Sequence, residues 1–171
     1  MRYAKIKNND VANSPGIAVS FYTQGCPHHC PGCFNPETWD FNGGFEFTYD
    51  TLEEIISAMT ENGIRRSLCV LGGEPLCEQN LFLTYLVVSS VKERLPQTEV
   101  YIWTGYRYEE LIKSNSSKIN GILDKTDFLI DGPFVETKKD LTLKMRGSSN
   151  QRIIDVQRTL KEGKIIQRDE I

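Results

Sequence analysis

The chain has 171 residues, 20 Lys and Arg against 23 Asp and Glu, a formal net charge of −3 and 39% apolar residues, an ordinary globular composition long enough for one core, so a single domain over residues 1–171 is expected. No long basic run is present, which argues against broad nucleic-acid binding, since that depends on neutralising phosphates. The longest mostly apolar stretch, near residues 81–91, is far short of a membrane span, and no apolar signal core follows Met1, so the chain is expected in the cytoplasm, away from membranes.

Residues 2–7 alternate weakly and predict a short edge strand. The polar stretch after them closes in Ser14-Pro15-Gly16, a turn signal. Ile17-Ala18-Val19-Ser20-Phe21-Tyr22 reads as the first buried strand. It runs through Thr23-Gln24-Gly25 into Cys26-Pro27-His28-His29-Cys30-Pro31-Gly32-Cys33. Residues 35–44 read as a loop rich in aromatics and turn formers. Leu52, Ile55, Ile56 and Met59 share one face of a helix predicted over 48–61, with Asn62-Gly63 closing it. Ser67-Leu68-Cys69-Val70-Leu71 is a continuous apolar run, as expected of a strand buried on both faces, and it ends in Gly72-Gly73-Glu74-Pro75. A helix is predicted over 80–94, then a strand over 100–103 ending in Thr104-Gly105-Tyr106. A third helix is predicted over 108–113, and a fourth core strand over 128–130 ending in Asp131-Gly132-Pro133. From residue 141 onward the chain carries polar turns and short β-like pieces such as Ile153-Ile154-Asp155-Val156.

The rhythm of strand, loop and helix argues for an α/β fold with a mainly parallel sheet and helical crossovers. In such sheets a site forms at the C-terminal ends of the strands. All four core strands end in Gly-containing polar loops, which gathers those loops on one rim. The chain is too short for a closed eight-unit barrel of about 250 residues, so an open, partial (β/α) barrel is expected.

The chemistry concentrates in the first of these loops. Its three thiols are spaced C-x3-C-x2-C, and the Pro and Gly between them exclude helix and strand. A short loop of this kind can wrap its sulfurs round one metal centre. A closed structural site usually takes four protein ligands, whereas three leave one position open for chemistry. Five Cys in all, three of them crowded together, do not suggest a disulfide framework, and exposed cluster thiols need a reducing compartment.

C-x3-C-x2-C together with Gly72-Gly73-Glu74-Pro75 resembles the signature of the radical S-adenosylmethionine enzymes. The resemblance implies a [4Fe-4S] cluster held by Cys26, Cys30 and Cys33. Its fourth iron would be chelated by the amino and carboxylate groups of S-adenosyl-L-methionine, and Gly72, Gly73 and Glu74 would hold the methionine ammonium. Physical logic runs the same way: two Gly let backbone approach a ligand, and a carboxylate suits an ammonium. Gly32, Cys33 and Phe34 would border the adenine pocket, although the aromatic often found just before the last Cys here follows it, and Phe34 equally suits a core position. Thr104 would line the ribose or carboxylate side, or else belong to a turn packed by Tyr106.

Arg146-Gly147-Ser148-Ser149-Asn150-Gln151-Arg152, Trp39-Asp40 and Asp131-Gly132-Pro133-Phe134 resemble signatures of the activating proteins of anaerobic ribonucleotide reductase. That resemblance covers nearly the whole chain. It implies reductive cleavage of S-adenosylmethionine and transfer of a radical to a glycine-bearing loop of the large reductase subunit, with reduced flavodoxin as electron donor. The loop at 146–152 is donor-rich and is expected to engage the reductase or close the site. Other readings are an activator of another glycyl radical enzyme, a small-molecule radical enzyme, or a non-catalytic iron–sulfur or zinc module. His28 and His29 are expected to be solvated loop positions, Cys69 a small core residue and Cys77 a buried structural thiol.

Overall fold

A computed structural model describes residues 1–169 of the chain; the end of the C-terminal stretch and of the expected domain at 170–171 lies outside the described residues. In chain order the strands are β1 (Arg2–Asp10), β2 (Ala18–Thr23), β3 (Phe45–Glu46), β4 (Ser67–Gly72), β5 (Val100–Trp103), β6 (Phe128–Asp131), β7 (Arg152–Asp155) and β8 (Gln167–Arg168). The α-helices are α1 (Tyr49–Thr60), α2 (Glu78–Arg94), α3 (Tyr108–Lys113), α4 (Ser117–Leu123) and α5 (Val156–Glu162). All described strands join one sheet in the order β3-β1-β2-β4-β5-β6-β7-β8. Its centre, β2-β4-β5-β6, is parallel, while β1, β3, β7 and β8 add antiparallel flanks. The architecture is therefore α/β with a mixed, largely parallel sheet that stays open. Among the described residues no helix is long and apolar enough to cross a membrane.

Several elements differ from the sequence reading. β1 is not the edge, because β3 pairs outside it, and it continues to Asp10 through register shifts. α2 begins two residues before the predicted start. The short α4 escaped the apolar pattern; its signal is Ser116, whose hydroxyl accepts from the Ile119 N–H. Val156 is helical, because Asp155 caps α5 by accepting from the Arg158 N–H. α1 follows its prediction closely. Thr48 and Thr51 form a reciprocal capping box at its start, and Asn62 and Gly63 turn the chain with φ of 58° and 70° at its end.

Strand alternation explains the layering. Val19, Phe21, Leu68, Val70, Val100, Ile102 and Leu129 point to one face and pack on Leu52, Ile55, Met59, Leu83, Val87, Val91 and Ile122 of the helices. Each fully buried side chain of this kind contributes about 1.5–3 kcal/mol. The opposite face carries a smaller cluster, Ala18, Tyr22, Cys69, Leu71 and Tyr101, with Trp103 and Met145 packed against it. Trp103 Nε1 donates to the Met145 carbonyl at 2.7 Å, tying β5 to the segment before β7.

The C-terminal strand ends are laced together by backbone bonds. The Gly73 N–H donates to Thr23 O at 2.9 Å and the Glu74 N–H to Gly25 O at 2.9 Å, joining the ends of β2 and β4. The Thr104 N–H donates to Ile130 O and the Gly132 N–H to Tyr106 O, joining β5 to β6. The first link requires glycine, since a Cβ on Gly73 would sit 2.4 Å from the Gly25 carbonyl oxygen. The far side is locked by Asp131, which is fully buried. Its carboxylate accepts from the Tyr108 N–H at 2.8 Å and from Arg152 Nε at 2.9 Å. Arg152 also forks onto Glu109 at 3.0 and 2.7 Å, which holds the Glu109 carboxyl down to about 2.

Two stability outcomes follow. Arg152→Ala strands a buried carboxylate and is expected to destabilise the fold by about 3–5 kcal/mol, read from urea unfolding. Gly73→Ala, which overpacks backbone against backbone, is expected to cost about 1–3 kcal/mol. Gly16→Ala, with nothing within 4 Å of the added Cβ, is the control that should stay near neutral in the same urea unfolding.

Candidate metal centre

The cysteine loop leaves β2 through Gly25, whose φ of 97° is a left-handed conformation, and it is backed by the chain's own return. The Gly25 N–H donates to Thr38 O at 2.7 Å and the Cys26 N–H to Trp39 O at 3.1 Å. Buried Gln24 clamps the return by donating to Asp40 O at 2.7 Å and Glu37 O at 3.2 Å. The loop's last turn closes with the Cys33 N–H on Cys30 O at 3.1 Å, and Gly32 supplies the φ of 71° that this turn uses. A side chain at that position would be strained, which gives a physical reason for Gly just before the last Cys.

Cys26, Cys30 and Cys33 line one solvent-open cavity of about 140 Å³, bordered also by Gly72, Gly73, Glu74, Thr104 and Phe34. Loops from all four parallel strands thus meet there, as the strand-end argument expected. Cys69 and Cys77 are buried elsewhere. The Cys69 thiol donates to Asn13 O at 2.9 Å within the second apolar cluster, and Cys77 precedes α2. Burial pushes the Cys77 thiol up to about 11 and raises that of Cys69 further.

Burial also pushes the Cys26 thiol up to about 11 and raises that of Cys30. Working against it are backbone N–H groups aimed at the sulfurs: His28 and His29 toward Cys26, and Phe134 toward Cys30. The Asn35 N–H donates to Cys33 Sγ at 3.4 Å. A thiolate that ligates metal needs such donors, and the metal's own charge then drives deprotonation. Among the described residues no three His, Cys, Asp or Glu side chains converge on a point as ligands of a single ion would. The thiols border a volume instead, and a polynuclear cluster presents several metal atoms along its surface. Donor type, N–H support and an open cavity fit an iron–sulfur cluster.

Glu74 stands at the back of this cavity, 1% exposed, and both its oxygens are engaged. Oε1 accepts from the Leu76 N–H at 2.9 Å and the Thr104 hydroxyl at 2.7 Å. Oε2 accepts from the Gly105 N–H at 2.7 Å and pairs with His28 Nε2 at 2.9 Å. A carboxylate has about four acceptor positions, and these bonds use them. The charge expected to face a ligand ammonium is thus satisfied here by the chain's own donors. Thr104 is turned toward Glu74 in the same way. His28 is not a solvated loop residue: its ring bridges to Glu74, meets Tyr106 edge-on at 4.6 Å, and its pairing with Glu74 raises its pKa. Asn80, which no sequence signal marked, donates from the first turn of α2 to Gly25 O at 3.1 Å and Glu74 O at 2.9 Å.

Phe34 is 52% exposed, so it is not a core residue. Its ring meets Phe134 at 5.1 Å, and the Lys139 ammonium lies 5.1 Å from its centre. In the 146–152 loop several donors and acceptors are paired within the chain. Gln151 Oε1 accepts from the Gly147 N–H at 2.8 Å, while Gln151 Nε2 donates to Gly132 O and Asn150 Nδ2 to Pro133 O. Ser148 is buried and accepts from the Val135 N–H. With Arg152 spent on Asp131 and Glu109, this loop buttresses the Asp131-Gly132-Pro133-Phe134 turn. Gln151 and Phe134 also line the cavity, a placement the sequence alone did not reveal.

Residues 12–154 match the family described as a 4Fe-4S single cluster domain. The chain is 37% identical over 152 residues to the anaerobic ribonucleoside-triphosphate reductase-activating protein of Salmonella typhi, covering 88% of this chain and 96% of that protein. It is 36% identical over 152 residues to the protein of that name from Escherichia coli (strain K12), with the same coverage. It is 37% identical over 155 residues to that of Enterobacteria phage T4, covering 90% of this chain and 93% of the relative. With the thiol-lined cavity and this similarity along most of its length, the chain belongs to the 4Fe-4S single cluster domain family, among the anaerobic ribonucleoside-triphosphate reductase-activating proteins.

Proposed function

We propose that this chain is a radical S-adenosylmethionine activase with an open partial barrel of that type, acting on anaerobic ribonucleotide reductase. The observation that carries the reading is the single cavity in which three thiols face the Gly72–Gly73 backbone. Cys26, Cys30 and Cys33 would hold the [4Fe-4S] cluster. When bound, it would supply one electron for cleavage of S-adenosylmethionine into methionine and a 5′-deoxyadenosyl radical, and that radical would take a hydrogen atom from a reductase glycine, giving 5′-deoxyadenosine and leaving a glycyl radical.

The chain's own residues bind, orient and shield. The Gly72–Gly73 backbone, free of side chains, lets the methionine part approach the strand ends. Glu74 keeps that turn rigid and lends negative charge behind it. Phe34 and Phe134 offer an aromatic edge for the adenine at the cavity mouth. No residue need act as general base, because a hydrogen atom moves rather than a proton. The cavity is open to solvent at the rim, as a macromolecular substrate such as the reductase's glycine-bearing loop requires. The electron donor is external, and a reduced flavodoxin is the proposed source. Cofactor-dependent chemistry of this kind leaves ligation, orientation and exclusion of side reactions to the protein.

The test is anaerobic incubation of the reconstituted, reduced chain with S-adenosylmethionine and the reductase. Methionine, 5′-deoxyadenosine and a glycyl radical signal in electron paramagnetic resonance are expected. Ala at Cys26, Cys30 or Cys33 should abolish the cluster's charge-transfer absorbance and the radical, whereas Ser at Cys69 or Cys77 should keep both. A chain that takes up zinc and never cleaves S-adenosylmethionine would be a binding module. Loss of the cluster in a Cys69 or Cys77 variant alone would refute the three-thiol assignment.

A further inference from the structure

The 26–33 loop is fixed to the rest of the site at two levels. Bonds to one backbone carbonyl hold its start: Gly25 O accepts from the Glu74 N–H and from the Asn80 side-chain Nδ2. Its middle, between the first and second thiols, is held differently. His28 Nε2 reaches Glu74 Oε2 at 2.9 Å, and the ring lies edge-on to Tyr106 at 4.6 Å. Contact with the end of β5 is close as well, because a Cβ on Gly105 would lie 2.6 Å from the His28 ring. The same carboxylate takes the Thr104 hydroxyl and the Gly105 N–H. One buried charge therefore joins the thiol loop, the Gly72-Gly73-Glu74-Pro75 turn and the β5 end.

We propose that His28 is a positioning residue: through Glu74 it locks the thiol loop to the Gly72–Gly73 turn, and so sets the placement of the cluster relative to bound S-adenosylmethionine. The role rests on the function proposed above. A ligand that must touch the open cluster position and the Gly72–Gly73 backbone together needs both held at one separation. Small misplacements at such a site cost far more than the lost bond suggests. The imidazole suits the role because it donates to a carboxylate from a short, planar side chain with few rotamers. His29 lacks it: its ring packs on Trp39 at 4.9 Å, on the other side of the loop.

The experiment compares wild type with His28→Ala, His28→Gln, Glu74→Gln and the His28→Ala, Glu74→Gln double variant. Iron and sulfide content after reconstitution should stay at the wild-type level in His28→Ala, because all three thiols remain. S-adenosylmethionine should bind about ten- to a hundredfold more weakly, the scale of a site held out of place by about 1 Å. The change that S-adenosylmethionine causes in the reduced cluster's paramagnetic resonance spectrum should shrink with it. His28→Gln, whose amide can donate to Oε2, should restore most of the affinity and the spectrum. The double variant should bind no worse than the weaker single variant, since both remove the same link.

A readout independent of S-adenosylmethionine is amide hydrogen exchange in the cluster-free protein. Exchange across 26–33 should quicken in His28→Ala and stay unchanged in His29→Asn, where Asn tolerates the φ of 46°. Wild-type affinity in His28→Ala, additive losses in the double variant, or no recovery with Gln would each overturn the proposal. So would unchanged exchange. Should wild-type chain not bind S-adenosylmethionine at all, the functional reading fails, and the exchange data still decide whether His28 holds the loop.

Discussion

A buried carboxylate is expensive, and Glu74 is tolerable only because donors surround it. Its desolvation costs several kcal/mol, which four bonds to the Leu76 and Gly105 amides, the Thr104 hydroxyl and His28 offset. Because those donors come from different loops, the charge is satisfied only when the ends of β2, β4 and β5 are correctly assembled. Loss of any one partner leaves the others holding a poorly neutralised group. Satisfaction of one charge thus becomes the condition for joining three of the rim's four loops, and the three thiols gain a fixed neighbour across the cavity.

The parallel centre of the sheet places those loops side by side, and the antiparallel flanks finish the rim on either side. On one side β1 and β3 support the return segment that backs the cysteine loop. On the other, Arg152 at the start of β7 neutralises Asp131 at the end of β6, which leaves the Gly132–Pro133 turn lined up for Gln151 and Asn150 to hold. Two buried carboxylates at strand ends therefore do similar work, but with different partners. Asp131 is matched by a guanidinium and is structural. Glu74 is matched by neutral amides, a hydroxyl and an imidazole, and it borders the cavity.

Much of this was legible in the residues. Apolar runs marked all four central strands, and the Gly-rich loops after them marked the rim, because burial on both faces and tight turns leave plain compositional traces. The three thiols declared themselves by spacing. What the sequence hid depends on contacts between distant segments. His28 looks like any polar loop residue until Glu74, 46 positions later, is seen beside it. Asn80 carries no pattern at all, since its role is to bond two carbonyls. The 146–152 loop reads as a donor-rich segment able to grip a partner. The side-chain donors of Asn150, Gln151 and Arg152 are in fact matched to acceptors at 131–133, and no local signal distinguishes a satisfied donor from a free one. β3 and β8 are too short for periodicity to register.

The central claim is that three thiols leave one cluster position open for S-adenosylmethionine in the cavity that Glu74 organises. Electron–nuclear double resonance on the reduced, reconstituted chain, with S-adenosylmethionine carrying 15N at the methionine amino group, reads this directly. The account predicts a 15N hyperfine coupling to the cluster in wild-type protein, of a size that requires direct bonding to iron. A cluster that shows no such coupling while S-adenosylmethionine is demonstrably bound would contradict it.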